Sequence, residues 1–298
     1  MYGHDMNRRD FAGLITGMIA GAALPSSDVP SGGAVVSGSA RAEAASPSTV
    51  VRSAHDTTVV RSAHDAIGVK SQMPDVSFFE NCAFVCIDIQ EGKRTEVTTI
   101  SKAWEDMGYT VADCQAATDF LYDVAMPNAR KVADACRALG MPMVFVHWGC
   151  LFKDGMDLEP RLRKAFIADE GNNPQKWVPH VSTTRPAEIL GIREGEYVLP
   201  KAAQDAFPSC NIGYVLENLG AKSIVFIGGH TNPGGCLGRT ARSARNRGYE
   251  ILCVEDATFD AGESTRKKGI ASVPFDYVVT AEQFLRLTEE AQAARNKK

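Results

Sequence analysis

SIVFIGGHTNPGGCLGRTARSARNRGYEILCVEDA, residues 223–257, holds a strand, a glycine-rich turn, a helix and a second strand in one pass. SIVFIGG (223–229) and EILCVEDA (250–257) are short apolar runs rich in Ile and Val, as expected of strands buried on both faces. Between them, CLGRTARSARNRGY (236–249) reads as a helix stopped at Gly248. Two buried strands joined through a helix form the unit of a parallel sheet, because parallel neighbours need a long crossover.

The same grammar extends both ways. AFVCIDIQ (83–90), MVFVHWG (143–149), YVLPKAA (197–203) and FDYVVT (275–280) are further strands. PNARKVADACRALG (127–140) is expected to start as a helix at its proline and stop at its glycine, with Val132, Ala135, Cys136 and Leu139 on one face. IGYVLENLG (212–220) is a helix stopped by Gly220, and the tail from Ala281 is a polar helix. Residues 150–196 are irregular, with four prolines and many charges. With Phe152, Arg161, Arg163 and Trp177 they are expected to form a lid or an oligomer arm, where Arg161 or Arg163 holds a substrate carboxylate or is solvated surface. The expected fold is α/β, with a mostly parallel sheet covered by helices on both faces. Ligands of such sheets bind outside the carboxyl ends of the strands.

The 298 residues are 44% hydrophobic and carry a formal net charge of −4, so nothing points to nucleic acid or an acidic membrane surface as partner. Residues 1–44 differ from the rest: Arg8 and Arg9 precede Phe11 and a mild apolar run to Leu24, and small-x-small sites follow at 40–44. This pattern is that of a twin-arginine export signal, which places the mature protein in the periplasm or outside, or in the cytoplasm if the signal is unused. Residues 45–75 read as a linker containing a nine-residue tandem repeat, TVVRSAHDT (49–57) then TVVRSAHDA (58–66), whose histidines are set aside from the site. Residues 76–298 form the folded domain. No later run has the ~18 apolar residues of a membrane-spanning helix.

Three polar groups fall at strand ends: Asp88, Lys201 and the turn before Cys236. Cys236 at the start of a helix is a candidate nucleophile. The helix N-terminus and a nearby lysine are expected to lower its thiol pKa from ~8.5. Otherwise it is a small apolar residue in a packed turn. Asp88 is a candidate general base, or a strand-end cap. Lys201 would hold the carboxylate or thiolate charged, or lie exposed at a strand end. N–H groups of Gly235 and Cys236 are candidate oxyanion donors, with Thr231 and Asn232 holding the turn. Gln90, Trp148, His230 and Phe207 are candidate substrate contacts, each with a packing or capping role as the alternative. For His230 the role of base to the thiol is also open. His147, His180 and His230 show no metal-ligand spacing, so no metal or cofactor is expected. The other cysteines read as core, with Cys210 the second-best thiol.

Asp-x-Gln after the first strand, Lys before Ala-Phe and a helix, and Gly-x-Thr-Asn…Cys followed by Thr-Ala-Arg-x-Ala and Arg-Gly-Tyr-Glu resemble the isochorismatase-like cysteine hydrolases over about residues 83–285. The resemblance implies a three-layer α/β/α fold, an Asp–Lys–Cys triad at Asp88, Lys201 and Cys236, and a homo-oligomer. It implies hydrolysis of a small amide or related C–N bond through a thioester. Competing readings are vinyl ether hydrolysis that uses the aspartate alone, and a binding protein with a degenerate site. Two departures stand out. Pro233, Gly234 and Gly235 make the turn before the cysteine two residues longer than is usual, and the Asp-x-His metal motif of nicotinamidase-like members is absent.

Overall fold

The computed structural model describes residues 73–92, 94–100, 105, 108–160, 162–163 and 179–297. The export segment and the tandem repeat, with Arg161 and Trp177, lie outside the described residues. Six strands form one sheet in the order β3-β2-β1-β4-β5-β6: β1 Cys82–Ile87, β2 Met143–Trp148, β3 Tyr197–Lys201, β4 Ser223–Gly229, β5 Glu250–Phe259 and β6 Tyr277–Val279. Every pairing is parallel.

Strand side chains alternate between faces, so the fully apolar strands feed two cores. On one face Phe84, Cys86, Phe145, Val225 and Leu252 pack under helices α2 (Met126–Ala138) and α6 (Ala281–Arg295). On the other, Val85, Ile87, Val146, Phe226 and Ile251 pack under α3 (Ile212–Asn218), α4 (Cys236–Asn246) and α5 (Glu263–Ser272). Each large side chain fully buried in this way contributes about 1.5–3 kcal/mol. Cys82, Cys86 and Cys136 join the first core and Cys253 the second, as the sequence suggests.

The winding reverses between β1 and β4. From β1 the chain steps to β2 and β3; from β4 it steps the other way. A crevice opens at such a reversal, at the carboxyl ends. Gly228 there has φ +103°, and a Cβ would collide with the carbonyl of Ile87 on the neighbouring strand. Only glycine meets both conditions.

Three elements depart from the sequence reading. The helix expected from Pro127 begins earlier, as α1 (Val111–Phe120), and reaches α2 through a π turn at Leu121–Ala125. Pro127 therefore lies inside a helix. It has no N–H for the bond one turn back, and the wider turn before it, where Met126 N–H reaches Leu121 O, absorbs the misfit. β5 runs to Phe259, past the polar Glu255-Asp256 step where the apolar run breaks. α5 was not anticipated, since it is polar along most of its length. No helix among the described residues is long and apolar enough to cross a membrane.

Candidate active site

The carboxyl ends of β1, β3 and β4 bring Asp88, Lys201 and Cys236 together. Asp88 follows β1 directly; its N–H donates to Val146 O at 2.9 Å, and its φ of 54° is in the left-handed region, uncommon for a side-chain-bearing residue. Lys201, the last residue of β3, is fully buried. Its ammonium lies 2.8 Å from Asp88 Oδ2, donates to Cys236 Sγ at 3.1 Å, and sits 4.9 Å from the Trp148 ring centroid. Cys236 opens α4 and is partly exposed.

Burial lowers the Lys201 pKa, but Asp88 and then Cys236 outweigh it and hold the ammonium charged well above its ordinary range. Burial pushes the Cys236 thiol up to about 12, and the Asp88 charge adds to the rise against the pull of Lys201. The low-pKa thiol expected from the helix N-terminus is thus corrected. The loss of water and a carboxylate beside the sulfur outweigh the pull of one lysine already paired to that carboxylate. Cys236 rests as a thiol. Asp88 Oδ1 is enclosed with no hydrogen-bond partner among the described residues, which leaves an open acceptor beside it.

The lengthened turn is held by Asp260, just beyond β5. This buried carboxylate accepts from Asn232 N at 2.7 Å, Asn232 Nδ2 at 3.1 Å, Thr231 Oγ1 at 3.1 Å and Ala261 N at 2.8 Å. Although burial raises its pKa, the His230 ring and these donors bring it below the ordinary carboxylate value. Asn232 passes the support on: its Oδ1 accepts from Gly234 N at 3.1 Å and its carbonyl from Gly235 N at 2.8 Å. The peptide bond Gly229–His230 is cis. A Cβ on Gly235 would collide with the His230 carbonyl, so the turn closes only over glycine.

The Gly235 N–H, expected as an oxyanion donor, is therefore occupied within the turn. The N–H groups of Cys236 and Leu237, first in α4, have no partner among the described residues. Thr231 and Asn232 both bond Asp260 within the turn.

The other sequence-derived contacts divide. Trp148 walls the site through its stacking on Lys201. His230 lies on the nucleophile's turn, its ring edge-on to Phe259 at 5.1 Å. The Gln90 amide is engaged at both ends with the Trp148 backbone, accepting from its N–H at 2.9 Å and donating to its carbonyl at 3.3 Å. It stitches β1 to β2 rather than facing a ligand. Phe207 does not reach the site. After Lys201 the chain runs along α4: Ala206 N–H donates to Thr240, Asp205 meets Ser243, and Phe207 stacks on Arg247 at the far end of that helix. Cys210 is a partly buried thiol whose pKa burial raises. His147 is buried beside the site, and burial lowers its pKa. Among the described residues no three His, Cys, Asp or Glu side chains cluster as a metal site would need. Asp260 was missed because it lies beyond the expected end of β5; the signal was an aspartate following a strand at the carboxyl edge.

Comparison with known proteins identifies the family and the fold. Residues 82–283 match the family model for the isochorismatase domain. An uncharacterized isochorismatase family protein of Bacillus subtilis, YwoC, is 27% identical over 180 residues, 60% of this chain and 78% of that protein. The ureidoacrylate amidohydrolase RutB of Agrobacterium fabrum is 23% identical over 70% of this chain and 90% of its own. The crystal structure of a cysteine hydrolase from Pseudomonas syringae superposes with a TM-score of 0.51 at 17% identity, covering 71% of this chain and 93% of that one.

Proposed function

The chain belongs to the isochorismatase family, and from that premise we propose that it hydrolyses a small amide or related C–N bond through a thioester on Cys236. The observation that carries this reading is the contact of the fully buried Lys201 with both Asp88 and Cys236. The amidohydrolase activity named for the RutB relative supports it.

The thiol is neutral at rest, so the aspartate acts as base while sulfur attacks. Asp88 takes the thiol proton as the S–C bond forms. The carbonyl oxygen becomes an oxyanion, for which the Cys236 and Leu237 N–H groups are the donors. The C–N bond breaks, and the amine leaves with the proton held by Asp88. Water then enters, gives a proton to Asp88, and cleaves the thioester, returning that proton to sulfur. Lys201 stays charged throughout and holds Asp88 and Cys236 in place. Export by the twin-arginine route and assembly into a homo-oligomer belong to the same proposal. Arg8–Arg9 supports the first, and Leu151, Phe152 and Met156, each about 60% exposed beside the site, support the second.

The test is a panel of small amides with intact-mass detection of the acyl-enzyme. Cys236→Ala should abolish turnover, and Asp88→Asn should lower it by about 10²–10⁴-fold. A Cys236→Ala enzyme that still turns over a vinyl ether would replace this reading with acid catalysis by Asp88 alone.

A further inference from the structure

The thioester chemistry above leaves the His230 ring, which faces the turn's Asp260 clamp, without a task. His230 is 5% exposed, and its Nδ1 faces Asp260 Oδ1 at 3.7 Å. Asp260 has no Lys or Arg partner among the described residues; His230 is its one basic neighbour. His230 also belongs to the cysteine's own turn. Its carbonyl accepts from Gly238 N at 3.1 Å in the first turn of α4, and its Cβ crowds Gly235. The ring is therefore fixed relative to Cys236 from three sides: by Asp260, by Phe259 and by its own backbone.

Nδ1 is enclosed, whereas Nε2 has no partner among the described residues and is not enclosed. Nε2 is thus the ring nitrogen left open to a ligand. Asp260 holds the Nδ1 side against a carboxylate, so an anion meeting Nε2 would place the imidazole between two negative charges. Either ring nitrogen can face such a charge as an N–H donor. A ring so engaged has no lone pair to offer the thiol, which Asp88 already serves.

We infer that His230, oriented by Asp260, recognises a carboxylate on the substrate, so that the substrate is an amide bearing a carboxylate near the carbon that Cys236 attacks. This rests on the cysteine hydrolase reading above. His230 is then a specificity-determining residue and Asp260 its positioning residue.

Two alkylating probes of matched shape test the inference without the substrate. Iodoacetamide is neutral and iodoacetate carries a carboxylate; each forms an S–CH₂ bond at Cys236, releases iodide and leaves the thiol proton on Asp88. Labelling of Cys236 is followed by peptide mass spectrometry, with the rates normalised to those of N-acetylcysteine. The expected iodoacetate-to-iodoacetamide ratio exceeds that of the free thiol by about tenfold, the effect of one charge-assisted hydrogen bond. His230→Gln should remove that excess while iodoacetamide still labels. An unchanged ratio in His230→Gln, with Cys236 still labelled, overturns the carboxylate site and leaves the nucleophile standing. A Cys236 that neither reagent labels overturns both. The wild-type protein supplies a second measurement if the variant does not fold: succinamate should protect Cys236 from iodoacetamide at about tenfold lower concentration than butyramide. Equal protection overturns the inference.

Discussion

Replacing Lys201 by methionine should cost about 3–5 kcal/mol, because it leaves the Asp88 carboxylate buried without its cation. Denaturant unfolding with an unchanged slope would report this loss. The thiol gives a second expectation. Its folded pKa is raised to about 12, so the native protein holds Cys236 protonated through neutral pH, and thiolate appears only as pH rises toward that value. The ultraviolet thiolate absorbance of wild type minus Cys236→Ser should therefore stay flat through about pH 8.5, where a free cysteine is half ionised. A step near neutrality would show that the helix end dominates after all. At this scale the sequence singles out Asp88 and Lys201 at the ends of apolar runs and Cys236 after the glycine-rich turn that follows one. It does not give the sign of the thiol shift, which depends on whether the lysine is spent on the aspartate. Nor does it place Phe207, because closeness to Lys201 along the chain says nothing about the direction in which the chain leaves the strand.

Elements were legible in proportion to how strongly burial shaped them. The central strands β1, β2 and β4 show in the sequence because every residue in them is buried, whereas edge strand β3, with Tyr197 and Val198 exposed, shows only as a β-branched and aromatic run. The Asp260 clamp was hidden because β5 regains apolar character after Glu255-Asp256, at Ala257 and Phe259. α1 was hidden for the opposite reason: Thr118 is its one buried residue, so no apolar stripe marks it. Its start was nevertheless written in Thr110-Val-Ala-Asp113, a capping box in which Thr110 and Asp113 each bond the other's backbone N–H. Thr110→Ala should cost about 1 kcal/mol, seen as a lower Tm. Turnover should not change, because the cap takes no part in the triad.

Across the whole molecule, the order β3-β2-β1-β4-β5-β6 decides what a break in the chain would do. Cutting the backbone between β2 and β3 yields an amino-terminal piece with β1 and β2 and a carboxyl-terminal piece with the other four strands. In the sheet, β1 and β2 lie between β3 and β4, hydrogen-bonded on both outer sides to strands of the other piece. The pieces are interleaved rather than abutted, and each carries part of the proposed triad: Asp88 on one, Lys201 and Cys236 on the other. A protease-nicked preparation should run as two bands in denaturing gel electrophoresis, yet elute together under native conditions and keep the integrity of the reactive centre. Separately expressed halves would then be expected to restore turnover only when mixed, so the enzyme's own chemistry would report on the docking of two strands into a gap between their neighbours.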